Sequence, residues 1–259
     1  MLRIFYGRES LDKEKFIFDS LDRDGKNIII VPDQFTLEME RDLFAYLEAE
    51  CLMDTEVISM SRLGFKLLEE LGGSKRRFID KYGRHMILSR IVKEKGKELE
   101  AFRGLERKSS FIELANNFIS ELKQQNVKAD DLKEALSCFP EESYGRKKLS
   151  DLMLIFSEYE KEIAGKYTDS EDRIDLYLSK IGKSEYIKGS NIYIYGFDSL
   201  APKALLVISE LLSFAKDVNI VLTYEKKDEL FLLTGLVIKN LTEMAERSDK
   251  TILRQIGKV

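Results

Sequence analysis

The sequence predicts an α/β fold, a parallel sheet split in sequence by a long helical insertion. Three observations carry that expectation: five short β-branched apolar runs, helical periodicity beside them, and about 110 residues without a strand signal. The runs are Leu2–Tyr6, Ile28–Val31, Glu56–Met60, Asn191–Tyr195 and Val218–Thr223. Each is short and predominantly apolar, as a strand buried on both faces requires.

Each of the first three runs leads into a helical pattern. After Val31, Thr36 is placed as the N-cap of a helix reaching about Glu50. After Met60, Ser61 is placed as the cap of a helix that stops at Gly72-Gly73. The last two strands flank a helix from about Pro202 to Phe214. Strands alternating with helices imply a parallel sheet covered on both faces.

The strand-poor stretch carries amphipathic helices. Phe111, Leu114, Ala115, Phe118, Ile119 and Leu122 share one face, behind an expected capping box of Ser110 and Glu113. Leu149, Leu152, Met153, Phe156, Tyr159 and Ile163 make a second face. Thr168 with Glu171 reads as another capping box, opening a helix through Leu178. No period of 20–50 residues repeats, which excludes a solenoid. The expected division is a sheet core of residues 1–80 and 185–259, with 81–184 as the inserted helical subdomain.

Composition narrows the function. The 259 residues are 44% hydrophobic and 34% charged, with a net charge of −4. That charge supplies no global field to attract nucleic acid, so any DNA contact is local. Cys51 and Cys138 stand apart and His85 is the single histidine, a pattern that argues against a zinc site and suits a reducing cytoplasm. The strand-like start reads as neither signal peptide nor membrane span.

The first strand runs into Gly7-Arg8-Glu9-Ser10-Leu11-Asp12-Lys13-Glu14. A phosphate-binding loop needs G-x-x-x-x-G-K-[ST], for backbone N–H groups to surround phosphate, Lys to reach the outer phosphates and a hydroxyl to hold Mg²⁺. Gly7 and Lys13 fit, whereas Asp12 replaces the second glycine and Glu14 the hydroxyl. Near 4 Å, each such carboxylate opposes a triphosphate by roughly 4 kcal/mol at an effective dielectric of ~20. An ordinary strand-to-helix loop and a decayed nucleotide loop both accommodate these residues. The fourth strand ends in Tyr195-Gly196, where P-loop helicases carry Asp-Glu before a Phe and a later Pro, here Phe197 and Pro202. Thr223-Tyr224-Glu225 lacks the Gly-Asp and Gln of a phosphate sensor. No catalytic residue is therefore assigned. A metal-nuclease motif is also rejected, because Pro32-Asp33 is followed by Glu38-Met39-Glu40 without the required lysine.

Between Lys66 and Lys97 stand ten basic residues against four acids. Such a block either neutralises phosphates or forms a solvated helical face.

The segments Val31-Pro32-Asp33-Gln34-Phe35-Thr36-Leu37-Glu38, Ser59-Met60-Ser61-Arg62-Leu63-Gly64-Phe65 and Tyr195-Gly196-Phe197-Asp198-Ser199-Leu200-Ala201-Pro202 resemble one family. It is the N-terminal helicase-like region of AddB (RexB), the second component of the bacterial AddAB (RexAB) helicase-nuclease. Gly7-Arg8 and Thr168-Asp169-Ser170-Glu171-Asp172 agree in order and spacing. The resemblance implies a superfamily-one, P-loop helicase-like core that does not translocate DNA, partnered with the motor protein AddA in a heterodimer. It implies a role in processing double-strand DNA ends for recombinational repair, and recognition of the regulatory Chi sequence as single-stranded DNA. ATP, Mg²⁺ and a 4Fe–4S cluster are implied for the parent complex, with none expected in this chain. The family's C-terminal nuclease domain has no counterpart in these residues.

The Chi-contacting positions carried over by the resemblance are Gln34, Thr36, Met60, Arg62, Phe65 and Phe197. An amide reads base edges, aromatics stack on bases, and arginine pairs with phosphate or guanine. Lys75, Arg76 and Arg77 are the expected phosphate contacts. Against these stand a cap for Thr36, core packing for Phe65 and a surface ion pair for Arg62. Two rival functions are an active divergent P-loop NTPase and a structural docking platform for AddA.

Overall fold

The computed structural model describes residues 1–48, 54–72, 77–225, 229–246 and 251–255. Their order is β1 (Leu2–Gly7), α1 (Lys13–Asp19), β2 (Asn27–Ile30), α2 (Thr36–Leu47), β3 (Thr55–Ile58), α3 (Met60–Leu71) and β4 (Arg77–Phe78). Then come α4 (Lys81–Lys95), α5 (Ser109–Gln124), α6 (Ala129–Ser137), α7 (Tyr144–Ile163), β5 (Tyr167–Thr168) and α8 (Ser170–Leu178). The last are β6 (Asn191–Tyr195), α9 (Pro202–Phe214), β7 (Asp217–Thr223), α10 (Leu232–Glu246) and β8 (Thr251–Gln255).

Six strands pair in parallel in the order β3-β2-β6-β7-β1-β8. The five expected strands occupy consecutive places, and β8 adds at the β1 edge. Ile28, Ile29 and Ile30 are all buried, the signature of a strand with both faces covered. One face packs Ile29, Val31, Tyr193 and Val221 against Ile17 of α1 and Met39 and Leu43 of α2. The chain divides into two compact units, Met1–Gly73 with Tyr177–Val259, and Ser74–Leu176. The first holds the sheet.

In the second unit, Leu88, Ile91 and Val92 of α4 pack with Phe111, Ile112, Ala115 and Ile119 of α5 and Ile155, Phe156 and Tyr159 of α7. Beneath that core lies an ionic network. Lys123 Nζ, 5% exposed, meets Asp169 at 2.8 Å, Asp172 at 2.9 Å and Glu160 at 2.8 Å. The Tyr159 hydroxyl donates to Asp169 at 2.9 Å, and buried Arg84 pairs with Glu171 at 2.6 Å. No helix among the described residues is long and apolar enough to cross a membrane.

Several expected helix starts differ. Ser59, not Ser61, caps α3 by accepting from the Arg62 N–H at 3.3 Å. Thr36 is the first residue of α2 and caps nothing; a short 3₁₀ turn, Asp33–Phe35, feeds directly into it. The α2 helix ends at Leu47, where Glu48 takes a left-handed backbone with φ 48°. Lys108 precedes α5 without a side-chain cap, so Ser110 and Glu113 form no capping box. At α8 the cap oxygen belongs to Asp169, which accepts from the Asp172 N–H at 2.9 Å, while Glu171 is held by Arg84. Thr168 instead lies in β5, paired with Phe78 of β4.

Candidate nucleic-acid interface and the closed nucleotide loop

The loop after β1 is completed by its own side chains. Asp12 caps α1, its carboxylate accepting from the Lys15 N–H at 2.8 Å. That carboxylate sits where a helix N-terminus would otherwise receive phosphate. Lys13 is 4% exposed, and its ammonium donates to the carbonyls of Arg8 at 2.8 Å and Leu11 at 3.3 Å. Gly7 closes β1, its carbonyl accepting from the Tyr224 N–H at 2.9 Å. The lysine that would reach phosphates thus ties the loop to itself.

Beside the loop, at the carboxyl ends of β2, β6 and β7, lies a cavity of about 340 Å³. Glu9, Glu14, Glu38 and Asp198 contribute four carboxyl groups to a lining that includes Phe35 and Phe197. Burial, then Asp42, Asp12 and Glu38, push the Glu14 carboxyl above its ordinary value. Burial, then Glu14, Glu9 and Asp12, push the Tyr195 hydroxyl up to about 12. Gly196 has φ +81°, and a Cβ there would lie 3.2 Å from Pro32 Cδ, so the position serves a tight turn. Among the described residues, no group of three or more His, Cys, Asp or Glu side chains could hold a metal ion. ATP with Mg²⁺ does not fit these residues. Nor do two cysteines fit a cluster that takes four thiolates.

A carboxyl raised by folding binds protons more tightly when native, so its cost is present above the folded pKa and relieved as pH falls through it. Glu14→Gln is therefore expected to raise the melting temperature at pH 7, with the gain shrinking on acidification toward pH 4. Equal melting of the two proteins at pH 7 would contradict the crowding of carboxylates described above.

The strand-end segments are stapled by one side chain. Asp33 accepts from Ser59 Oγ at 2.5 Å and from Ser61 Oγ at 2.7 and 2.9 Å. It binds the turn after β2 to the start of α3, and so brings Gln34 and Phe35 toward the helix that carries Arg62 and Phe65. Gln34 and Arg62 are exposed, and Phe35 and Phe65 are 43% and 54% exposed. Phe65 is therefore not a core residue. Among the described residues Arg62 forms no ion pair. Phe35 also approaches Gly196 and shares the cavity wall with Phe197, which links the third segment to the first. Met60 is half-buried. Thr36 is 6% exposed and its hydroxyl donates to the Asp33 carbonyl at 3.0 Å. A side chain at Gly64 would meet Tyr177 Cε1 at 2.5 Å, which accounts for glycine inside α3.

Sequence reasoning passed over Asp33, Ser59, Ser61 and Phe35 as parts of this surface. All four stand inside the matched segments, but a hydrogen-bonded staple between two strands' loops has no sequence period to reveal it. Lys75 and Arg76 lie outside the described residues; Arg77 is exposed in β4 of the helical unit. Of the basic block, Arg84 is a buried ion pair, while Lys66, Lys95 and Arg90 are paired with Glu56, Glu98 and Glu162.

Comparison with known proteins adds identity to this geometry. A family model described as "ADDB, N-terminal" matches residues 4–257. The chain is 30% identical over 257 residues to an ATP-dependent helicase/deoxyribonuclease subunit from Alkaliphilus metalliredigens, covering 95% of this chain and 22% of the relative. A protein of the same description from Alkaliphilus oremlandii is also 30% identical, with the same coverage of each chain. One from Bacillus mycoides is 32% identical over 247 residues, covering 88% of this chain and 21% of the relative. The chain thus spans about a fifth of the length of these curated relatives.

Proposed function

The chain belongs to the AddB N-terminal family, and on that premise we propose that it is a non-translocating, superfamily-one helicase-like module that binds single-stranded DNA. In this reading it serves an end-processing helicase-nuclease alongside the motor protein AddA, and contributes to Chi recognition. The observation that carries it is the surface stapled by Asp33: an exposed amide, an exposed guanidinium without an ion pair among the described residues, and two exposed aromatic rings at the carboxyl ends of parallel strands. Open α/β sheets bind ligands at those ends. An unpaired guanidinium attracts phosphate or guanine, and exposed rings stack on bases. The occupied nucleotide loop leaves binding, not fuel use, as the module's work.

The test uses the assembled heterodimeric enzyme. Arg62→Ala and Phe65→Ala should each weaken the Chi response by about 1–3 kcal/mol, the scale of one base contact or stacked base. Unwinding rate, the control, should stay unchanged because both residues lie on α3, outside the loop after β1. A normal Chi response in both variants, or a loss of folding stability in place of a loss of response, would overturn the assignment.

A further inference from the structure

The helical unit displays a second set of exposed rings. Phe78 of β4 and Tyr82 and Met86 of α4 recur every fourth residue and are 51%, 79% and 73% exposed. Spacing of four places Tyr82 above Met86 on one helix face. The neighbouring side chains are cationic. Arg173 lies over the Phe78 ring, its guanidinium carbon 5.1 Å from the centroid. Arg77 and Lys93 are exposed, and among the described residues they form no ion pair. Lys81 stands 3.9 Å from Glu113, too far for a hydrogen bond, while Arg90 is engaged by Glu162 at 2.8 Å. Asp80 is occupied as the cap of α4, accepting from the Gly83 N–H at 2.8 Å.

The ridge stands on a firm base. Arg77 and Phe78 pair with Tyr167 and Thr168, and the Ile79 N–H donates to the Thr168 carbonyl at 3.0 Å. One turn into α4, Arg84 is anchored to Glu171 and to Ser120 Oγ, both at 2.6 Å. A backbone held in place loses little freedom when a planar ligand stacks on the rings it carries. An apolar partner protein would gain nothing from the free cations. A polyanion with exposed planar faces uses both features, and single-stranded nucleic acid has them, whereas a duplex hides its base faces.

We propose that the Phe78–Tyr82–Met86 ridge is a second single-stranded DNA contact, sequence-tolerant, in which bases stack on Phe78 and Tyr82 while Arg77, Lys81 and Lys93 take the phosphates. It deepens the single-strand-binding reading above and rests on it for the nature of the ligand. The ridge gives the chain affinity without base selection, which the strand-end surface supplies.

The test is fluorescence anisotropy of a labelled oligothymidylate of about 20 nucleotides, titrated with the full chain at two salt concentrations. Tyr82→Ala should weaken binding about tenfold, and Tyr82→Phe should retain it. Arg77→Ala and Lys93→Ala should each reduce the salt slope by about one. Thermal melting of Tyr82→Ala should match the parent, because that ring is mostly in solvent. Unchanged affinity in Tyr82→Ala, or no binding by the parent chain at low salt, would overturn the ridge while leaving the strand-end reading to its own test in the assembled enzyme. Loss of association with the motor protein at unchanged DNA affinity would make the ridge a protein-docking face, and would likewise overturn the proposal.

Discussion

Lys123→Met is expected to destabilise the chain by about 3–5 kcal/mol, the usual consequence of removing one partner from a buried ion pair. The ammonium is the one cation that meets Asp169 among the described residues, and it also holds Asp172 and Glu160. Without it, buried Asp169 faces Asp172 and keeps, among the described residues, the hydrogen bonds from the Tyr159 hydroxyl and the Asp172 N–H and the more distant charge of Arg84. Burial alone pushes the Asp169 carboxyl up, but Lys123 overrides it and holds the carboxyl below its ordinary value. A depressed carboxyl contributes stability above its unfolded pKa and loses it as pH falls through the folded one. Asp172 runs the other way, raised by burial and then by Asp169. Lys123→Met should therefore lower the melting temperature by roughly 10 °C, with the difference from the parent narrowing in acid. Lys133→Met, at the exposed pair with Asp130, should leave the melting temperature nearly unchanged. If the two variants melted alike, the buried Lys123 network would not be a support of the helical unit's stability.

The second large effect is the absence of turnover. Steady-state phosphate release with ATP and Mg²⁺ should fall at least ~10³-fold below a typical enzyme rate of ~10 s⁻¹, with or without DNA. Two independent losses produce it. Asp12 occupies the helix N-terminus and Lys13 is held by loop carbonyls, so the triphosphate lacks its cradle. In the helicase-like reading, Tyr195 and Gly196 replace the metal-holding acids, so Mg²⁺ would lack its ligand. Phosphate release that disappeared in Lys13→Ala would show a working loop and would favour the NTPase reading.

The strands were legible because a strand buried on both faces must be a continuous apolar run. Asn191–Tyr195 and Pro202–Phe214 coincide with the observed elements. The caps were not legible. Ser59 and Ser61 are chemically equal candidates; Asp33, 26 positions from Ser59, accepts from both hydroxyls, and only the position of the helix start gives Ser59 the Arg62 N–H as well. Thr168 and Glu171 fit a capping box by spacing, yet Thr168 is taken up by β5, Asp169 supplies the cap and Arg84 engages Glu171. The short pair β4–β5 carries too few residues for a period to register. The same limit applied to the interface. Single residues such as Gln34 and Arg62 stood out through resemblance, but the staple that gathers them is a tertiary contact.

The most direct measurement is photo-crosslinking of single-stranded DNA carrying 5-iodouracil to the assembled heterodimeric enzyme, followed by mapping of the modified peptides. If the strand-end surface binds DNA, aromatic crosslinks will fall on the segments around Phe35, Phe65 and Phe197, and Asp33→Ala will diminish them by separating the turn from α3. Crosslinks that omit all three segments, or that persist unchanged in Asp33→Ala, would contradict the account.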